Sequence, residues 1–230
     1  YNLDNESYAA SHQNIRKDIP NYRFIKCDLA NKEELERSLE SIEFHRVFHF
    51  AAESHVDNSI AGPDPFIFSN IIGTYNLLNF FRPKKNIIFL HVSTDEVYGD
   101  LNIDDESFKE TTPYNPSSPY SASKASSDLL VKSWFRTYGF PAIIVNCTNN
   151  FGPNQNIEKL IPKTITSALR GDIIPIYGKG LNIREWIYVE DFCKAIITVI
   201  EKGNVGETYN IGSGEELKNI EIVDMICNIL

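Results

Sequence analysis

Ser93-Thr94-Asp95-Glu96 closes the strongly apolar run Ile87-Ile88-Phe89-Leu90-His91-Val92, and Tyr120-Ser121-Ala122-Ser123-Lys124 opens an amphipathic run that continues through Tyr138. The first run reads as a buried strand and the second as a helix. A Tyr and a Lys four residues apart share one face of a helix. A lysine ammonium beside a phenol favours the phenolate, which suits the tyrosine to accept a proton near neutral pH. Taken alone, Tyr-x-x-x-Lys describes many ordinary helices with a solvated lysine. The combination with Thr94, Asp95 and Glu96 at the carboxyl end of a strand is more specific, because ligands of open α/β sheets bind there. Two acids and a hydroxyl at that place point to acid–base chemistry.

Working outward, strand and helix patterns alternate through the first two-thirds of the chain. Tyr1-Asn2-Leu3-Asp4 resembles the tail of a strand, and Arg23 to Leu29 reads as a strand ending in an acid, Asp28. Asn31 is placed to cap a helix over Lys32 to Ser41. His45 to Phe50 is a strand running into the small residues Ala51 and Ala52. A helix is expected from Asp64 to Phe81 with Pro65 in its first turn, closed by Pro83. A polar loop follows the 87–92 strand from Gly99 to Pro119, and Pro141 to Asn146 is another buried strand. Such alternation is the pattern of βαβ units and a parallel sheet. From about Asn150 the texture changes: a helix from Glu158 to Leu169, a short strand and turn over Asp172 to Gly178, a strand at 184–189, a helix to Glu201, a strand over Glu207 to Gly212 and a helix from Ile220. The domains expected are therefore 1–149 and 150–230, with the strand near 184–189 returning towards the first.

The 230 residues carry a formal net charge of −9 and no basic cluster, which argues against a nucleic-acid surface. No apolar run approaches the ~20 residues of a membrane helix, and no signal peptide is evident at the start. Cys27, Cys147, Cys193 and Cys227 are scattered, without a Cys-x-x-Cys, and read as reduced core thiols of a cytoplasmic protein. The five histidines show no metal-ligand spacing. Asp4 and Asp28 each end a strand; an acid so placed in a dinucleotide-binding fold bonds ribose hydroxyls, although turn and cap acids look the same. The glycine-rich phosphate loop that would decide the matter belongs before Asp4 and is not in the sequence, and Gly178-Lys179-Gly180 does not replace it. Lys159, Arg184 and Asn219 fall at element edges, where together they could hold a diphosphate.

The chain resembles the extended short-chain dehydrogenases/reductases, and among them the nucleotide-sugar 4,6-dehydratases. The stretches that carry the resemblance are Ala51 to Asp57, Ser93 to Gly99, Tyr120 to Lys124, Asn149 to Pro153, Glu158 to Pro162 and Tyr209 to Gly212. Thr94-Asp95-Glu96 separates dehydratases from the epimerases and decarboxylases of that superfamily. The resemblance implies an α/β, doubly wound Rossmann-like parallel sheet, here without its first strand and glycine loop, followed by a smaller C-terminal substrate-binding region, also shortened. It implies NAD as cofactor, held by Asp4, Asp28, Leu29, Ala51, Ala52, Ser54, Tyr120, Lys124 and Asn149. Asn150, Lys159, Leu160, Tyr177, Arg184 and Asn219 are implied for a nucleoside-diphosphate glucose, with dTDP-glucose the first candidate.

The implied chemistry is oxidation at C4, loss of water across C5 and C6 and return of hydride to C6, as in deoxysugar and rhamnose biosynthesis. Tyr120, Lys124 and Thr94 serve the oxidation; Glu96 is the base at C5 and Asp95 the acid at the 6-hydroxyl. Other reactions of the superfamily, namely UDP-glucose 4,6-dehydration, 4-epimerisation and decarboxylation, and a truncated non-catalytic binding module are the alternatives. The resemblance also implies a homodimer through helices 64–81 and 120–138, whose apolar residues Ile67, Ile71, Tyr75, Leu78, Leu129, Leu130 and Trp134 exceed what one buried face needs.

Overall fold

A computed structural model describes residues 1–15, 18–101 and 105–230. The loop expected from Gly99 to Pro119 therefore lies partly outside the described residues. In chain order the elements are β1 (Asn2–Asp4), β2 (Phe24–Lys26), α1 (Lys32–Leu39), β3 (Arg46–His49), α2 (Val56–Ala61), α3 (Asp64–Phe66), α4 (Thr74–Phe81), β4 (Ile88–Thr94), α5 (Pro119–Tyr138) and β5 (Ala142–Cys147). They continue as β6 (Asn149–Phe151), α6 (Leu160–Arg170), β7 (Ile183–Tyr188), α7 (Val189–Lys202), β8 (Thr208–Ile211), β9 (Glu216–Lys218) and α8 (Asn219–Ile229).

The chain divides into two units, one of residues 1–146 with 198–210, the other of 147–197 with 211–230. Segment 198–210 belongs with the first unit, and the strand near 184–189 lies in the second. That strand, β7, pairs with β6 and β9 inside the second unit. The reason lies in local bonding: Gly206 N donates to Ala142 O at 2.7 Å and Ile144 N to Glu207 O at 3.1 Å. Asn210 also accepts from the Tyr98 hydroxyl at 2.8 Å.

In the first unit the sheet comes in two pieces. β1 pairs with β2 in parallel, Asn2 to Asp4 against Phe24 to Lys26. A separate four-stranded sheet has the order β3-β4-β5-β8, with β3 parallel to β4. This is the Rossmann-like arrangement expected, interrupted between β1 and β3. The largest core lies against these strands. Leu35 and Leu39 of α1, Leu77, Leu78 and Phe81 of α4, Phe89 of β4, Val131 of α5 and Ile144 of β5 are all buried together. The rings of Phe44, Phe81, Phe89 and Phe140 form a chain of edge and tilted contacts through it.

Local chemistry sets the helix ends. The Asn31 side chain accepts from Glu34 N at 3.1 Å and starts α1 as expected. Ser118 and Ser121 form a reciprocal cap before α5, with Pro119 in its first turn. Gly139 ends α5 in the left-handed region at φ 64°. The helix expected over 64–81 does form, but its middle, Ile67–Gly73, is a wider π turn linking α3 to α4. Such turns are rare and concentrate at functional sites.

In the second unit β7 is central, parallel to β6 and antiparallel to β9. The strand expected over 172–178 does not form. Ile173 is 92% exposed and Tyr177 75%, and Pro175 has no N–H to give to a ladder. Two cysteine expectations also change: Cys27 is a core thiol, but Cys193 and Cys227 are exposed. Among the described residues no helix is long and apolar enough to cross a membrane.

Candidate active site

The five residues proposed for catalysis all belong to the first unit. β4 ends at Thr94, whose hydroxyl caps the short 3-10 turn Asp95–Tyr98 by accepting from Glu96 N at 3.3 Å. The same hydroxyl donates to Asp95 Oδ1 at 3.2 Å. Gly99 closes the turn at φ 97°, ψ −143°, a conformation open to glycine, and a Cβ there would overlap the Asn115 carbonyl. Thr94 is buried, and Asp95 and Glu96 are half-buried.

α5 brings the second group. Tyr120 is 9% exposed and Lys124 4%. The Lys124 ammonium donates to the Val92 carbonyl at 2.8 Å, two residues before Thr94. That bond ties the Tyr120–Lys124 face of α5 to the strand that carries the acids. The Tyr120 ring meets Phe66 edge-on, with centroids 6.3 Å apart.

The expected cofactor residues divide in two. Asp4, Leu29, Ala51 and Ala52 border the gap between β1 and β3, whose remaining wall includes the core residues Cys27, Leu39, Leu77 and Phe81. Asp28, Ser54, Tyr120 and Lys124 are not on its wall. Asp4 and Asp28 each close an Asx turn, accepting from Glu6 N at 2.6 Å and Ala30 N at 2.9 Å. Carboxylates at the ends of adjacent parallel strands, with alanines where the next strand ends, suit the ribose and the flat faces of a dinucleotide. The residues present therefore fit NAD.

Two asparagines that the sequence reading passed over hold the loops of this site. Asn70, in the π turn and 1% exposed, accepts from Glu53 N at 2.8 Å. Its amide donates to Glu53 O at 3.0 Å and to Ser123 Oγ at 2.8 Å. Ser123 in turn donates to Tyr120 O at 2.7 Å. Asn76 donates to the carbonyls of Leu29 and Ala30 at 2.9 and 3.2 Å. The available signal was a lone amide amid the apolar residues Ile67, Phe68, Ile71 and Ile72.

Behind Lys124 lies a buried polar cluster that was also missed. Asp128 accepts at Oδ2 from Ser93 Oγ, 2.9 Å, and Tyr114 OH, 3.0 Å. Burial pushes its carboxyl up to about 6, against the Lys124 charge, which lowers it. His91 Nε2 is 3.2 Å from Asp128 Oδ1, without hydrogen-bond alignment. Burial and then the Lys124 charge hold His91 well below the usual imidazole range. His49, 5.1 Å from it between ring centroids, is held down by burial, then by His91 and Lys124. Burial raises Tyr98 to about 12 and pushes Tyr114 upward as well.

The remaining expected residues lie in the second unit. Asn149 and Asn150 are in β6, Lys159 and Leu160 start α6, Arg184 is in β7 and Asn219 starts α8. Asn150 Oδ1 and Asn219 Oδ1 are buried polar atoms without a hydrogen bond. Unpaired buried acceptors are costly, and a polar ligand can satisfy them. Tyr177 and Arg184 are exposed, and Arg184 Nη1 donates to the neighbouring Ile183 carbonyl at 2.9 Å.

The profile of the family described as GDP-mannose 4,6 dehydratase matches residues 1–229. The chain belongs to that family. Its sequence is 49% identical over 240 residues to a dTDP-glucose 4,6-dehydratase of Neisseria meningitidis serogroup B, covering all of this chain and 68% of the relative. It is 49% identical over 248 residues to dTDP-glucose 4,6-dehydratase 1 of Escherichia coli K12, again covering the whole chain and 69% of that protein. Among solved structures it is similar to the dTDP-glucose 4,6-dehydratase DesIV of Streptomyces venezuelae with NAD and TYD bound. That likeness has a TM-score of 0.93 and 42% identity over 98% of this chain and 70% of that one.

Proposed function

We propose that the chain is an NAD-dependent hydro-lyase that converts dTDP-glucose to its 4-keto-6-deoxy derivative. One observation carries the reading: the Lys124–Val92 bond fastens the Tyr120 and Lys124 face of α5 to the end of β4, where Thr94, Asp95 and Glu96 stand. Relatives 49% identical over the whole chain, all dTDP-glucose 4,6-dehydratases by name, support the substrate class. A relative with NAD and TYD bound supports the cofactor and the nucleotide.

When bound, NAD supplies the acceptor and later donor of the hydride that leaves C4 and reaches C6. The protein's residues move the protons. Tyr120, assisted by the Thr94 hydroxyl and the Lys124 charge, takes the proton of the sugar 4-hydroxyl. The 4-keto group then acidifies the C5 proton, which Glu96 removes while Asp95 protonates the departing 6-hydroxyl. Glu96 finally returns a proton to C5. Adjacent carboxyls suit two opposite tasks, since ionisation of one opposes ionisation of the other. Asp4, Asp28, Leu29, Ala51, Ala52, Ser54 and Asn149 would hold NAD. Asn150, Lys159, Leu160, Tyr177, Arg184 and Asn219 would hold the sugar nucleotide, with the buried acceptors Asn150 Oδ1 and Asn219 Oδ1 as the support for polar contacts there.

The deciding experiment is Glu96→Gln in a single turnover with dTDP-glucose in deuterated solvent. Oxidation at C4 should still give persistent NADH absorbance, and solvent exchange at C5 should vanish. Exchange at the wild-type rate would remove Glu96 from the role of base.

The chain further acts as a homodimer through residues 64–81 and α5. Ile67, Phe68, Ile72, Tyr75 and Leu129 are exposed apolar residues on these segments, which supports the reading. Leu78, expected among them, is instead fully buried in the core, and Leu130 and Trp134 pack against it. Light scattering at micromolar concentration should give twice the chain mass; a monomer refutes the dimer. The cytoplasm is the proposed compartment, supported by four free cysteines.

A further inference from the structure

Tyr120, Lys124 and Asp128 follow one another at four-residue intervals along α5, so they lie on one face with ~6 Å of helix rise between successive members. Lys124 is 4% exposed and Asp128 fully buried. A charge held that deeply needs a partner. We propose that Asp128 is a positioning residue: it is the buried counter-charge that keeps the Lys124 ammonium protonated at the end of β4, and through Lys124 it sets the proton exchange of Tyr120. The inference rests on the reading of Tyr120 and Lys124 as the proton-transfer pair.

The groups around Asp128 favour this assignment. From β4, the Ser93 hydroxyl donates to the carboxylate; from the loop before α5, the Tyr114 hydroxyl does the same. Both bonds stabilise the ionised form. His91, also from β4, lies against the other oxygen but is held neutral by burial, so it supplies no positive charge. His49 beyond it is likewise neutral, and Tyr98 is kept protonated by burial. Lys132, on α5 itself, spends its ammonium on the Tyr114 hydroxyl at 3.0 Å and on the face of the Tyr114 ring. Its effect on Asp128 is smaller than that of Lys124. A carboxyl that titrates at about 6 is ionised at neutral pH. Lys124 and Asp128 then form the charged pair of this interior.

Asp128→Asn tests the charge and spares the shape, because the amide oxygen can still accept from Ser93 and Tyr114. In the pH profile of kcat with NAD and dTDP-glucose, the proposal places the alkaline limb under the control of the Lys124–Asp128 pair. The Lys124 charge lowers the Asp128 carboxyl, and loss of one neighbouring opposite charge corresponds to a fall of that limb by about one pH unit or more in Asp128→Asn. Lys132→Met should leave the limb in place. An alkaline limb unmoved in Asp128→Asn overturns the proposal, whatever happens to kcat. A stability cycle of wild type, Asp128→Asn, Lys124→Met and the double variant gives a reading that needs no turnover, and so survives failure of the dehydratase assignment. The double variant should lose less than the sum of the two single losses. If Asp128→Asn alone does not fold, adding Lys124→Met should restore a cooperative thermal transition. Additive losses, or no restoration, overturn the pairing.

Discussion

Asn70→Ala removes the clamp between the loop after β3 and α5. Three hydrogen bonds are lost: one from Glu53 N, one to Glu53 O and one to Ser123 Oγ. Each such bond is worth about 1 kcal/mol net, and a buried group left unpaired costs about 1–3 kcal/mol. Ser123 keeps its bond to Tyr120 O, and the Glu53 backbone is only partly buried, so the full penalty applies to a fraction of the groups. The expected loss is about 3–4 kcal/mol. Urea denaturation followed by circular dichroism measures it as a shift in midpoint at constant slope. Asn70→Asp keeps the acceptor for Glu53 N and loses both donors. It should be at least as destabilised, because its carboxylate would face the Glu53 carbonyl in a buried site. A loss below 1 kcal/mol in Asn70→Ala would show that the two segments hold their positions without the clamp.

Two further outcomes follow from the same chemistry. Tyr120→Phe keeps the ring contact with Phe66 and removes the hydroxyl; turnover should fall by about 10²-fold or more with little change in KM, and turnover within threefold of wild type would refute the role. The Asp128 carboxyl, raised from 3.8 to about 6, binds a proton in the folded chain across a window where the unfolded chain has released it. Stability from this group therefore falls as pH rises through that window, by about 3 kcal/mol in all. His49 and His91, held below the ordinary imidazole value, act with the opposite sign, so the isolating measurement is the stability of wild type minus that of Asp128→Asn. That difference should decline between pH 4 and 6, and a flat difference refutes the shift.

Much of the first unit was legible. The strands at 46–49 and 88–94 follow from apolar runs bounded by turn residues, and α1 follows from Asn31 ahead of Glu33 and Glu34. The end of β4 at Thr94 and the start of α5 at Pro119 were also close to those expected from the apolar run and the amphipathic run. The rest was set by pairing over distance. β6 and β9 are three residues each, Asn-Asn-Phe and Glu-Leu-Lys, with no periodicity to read; β7 between them makes them strands. The reverse happened at 172–178, where apolar alternation found no partner and Pro175 removed a donor. Asn70 and Asp128 were hidden for another reason: on a helix pattern a polar residue reads as solvent-facing, and only the fold shows that these two turn inward.

The closure of the turn after β4 has a consequence for variation at the site. Gly99 sits at φ 97°, and a Cβ there would overlap the Asn115 carbonyl. Any other residue would have to push away that carbonyl or reshape the turn, and the turn carries Asp95 and Glu96. A residue with no side chain thus limits how far this strand end can drift by substitution.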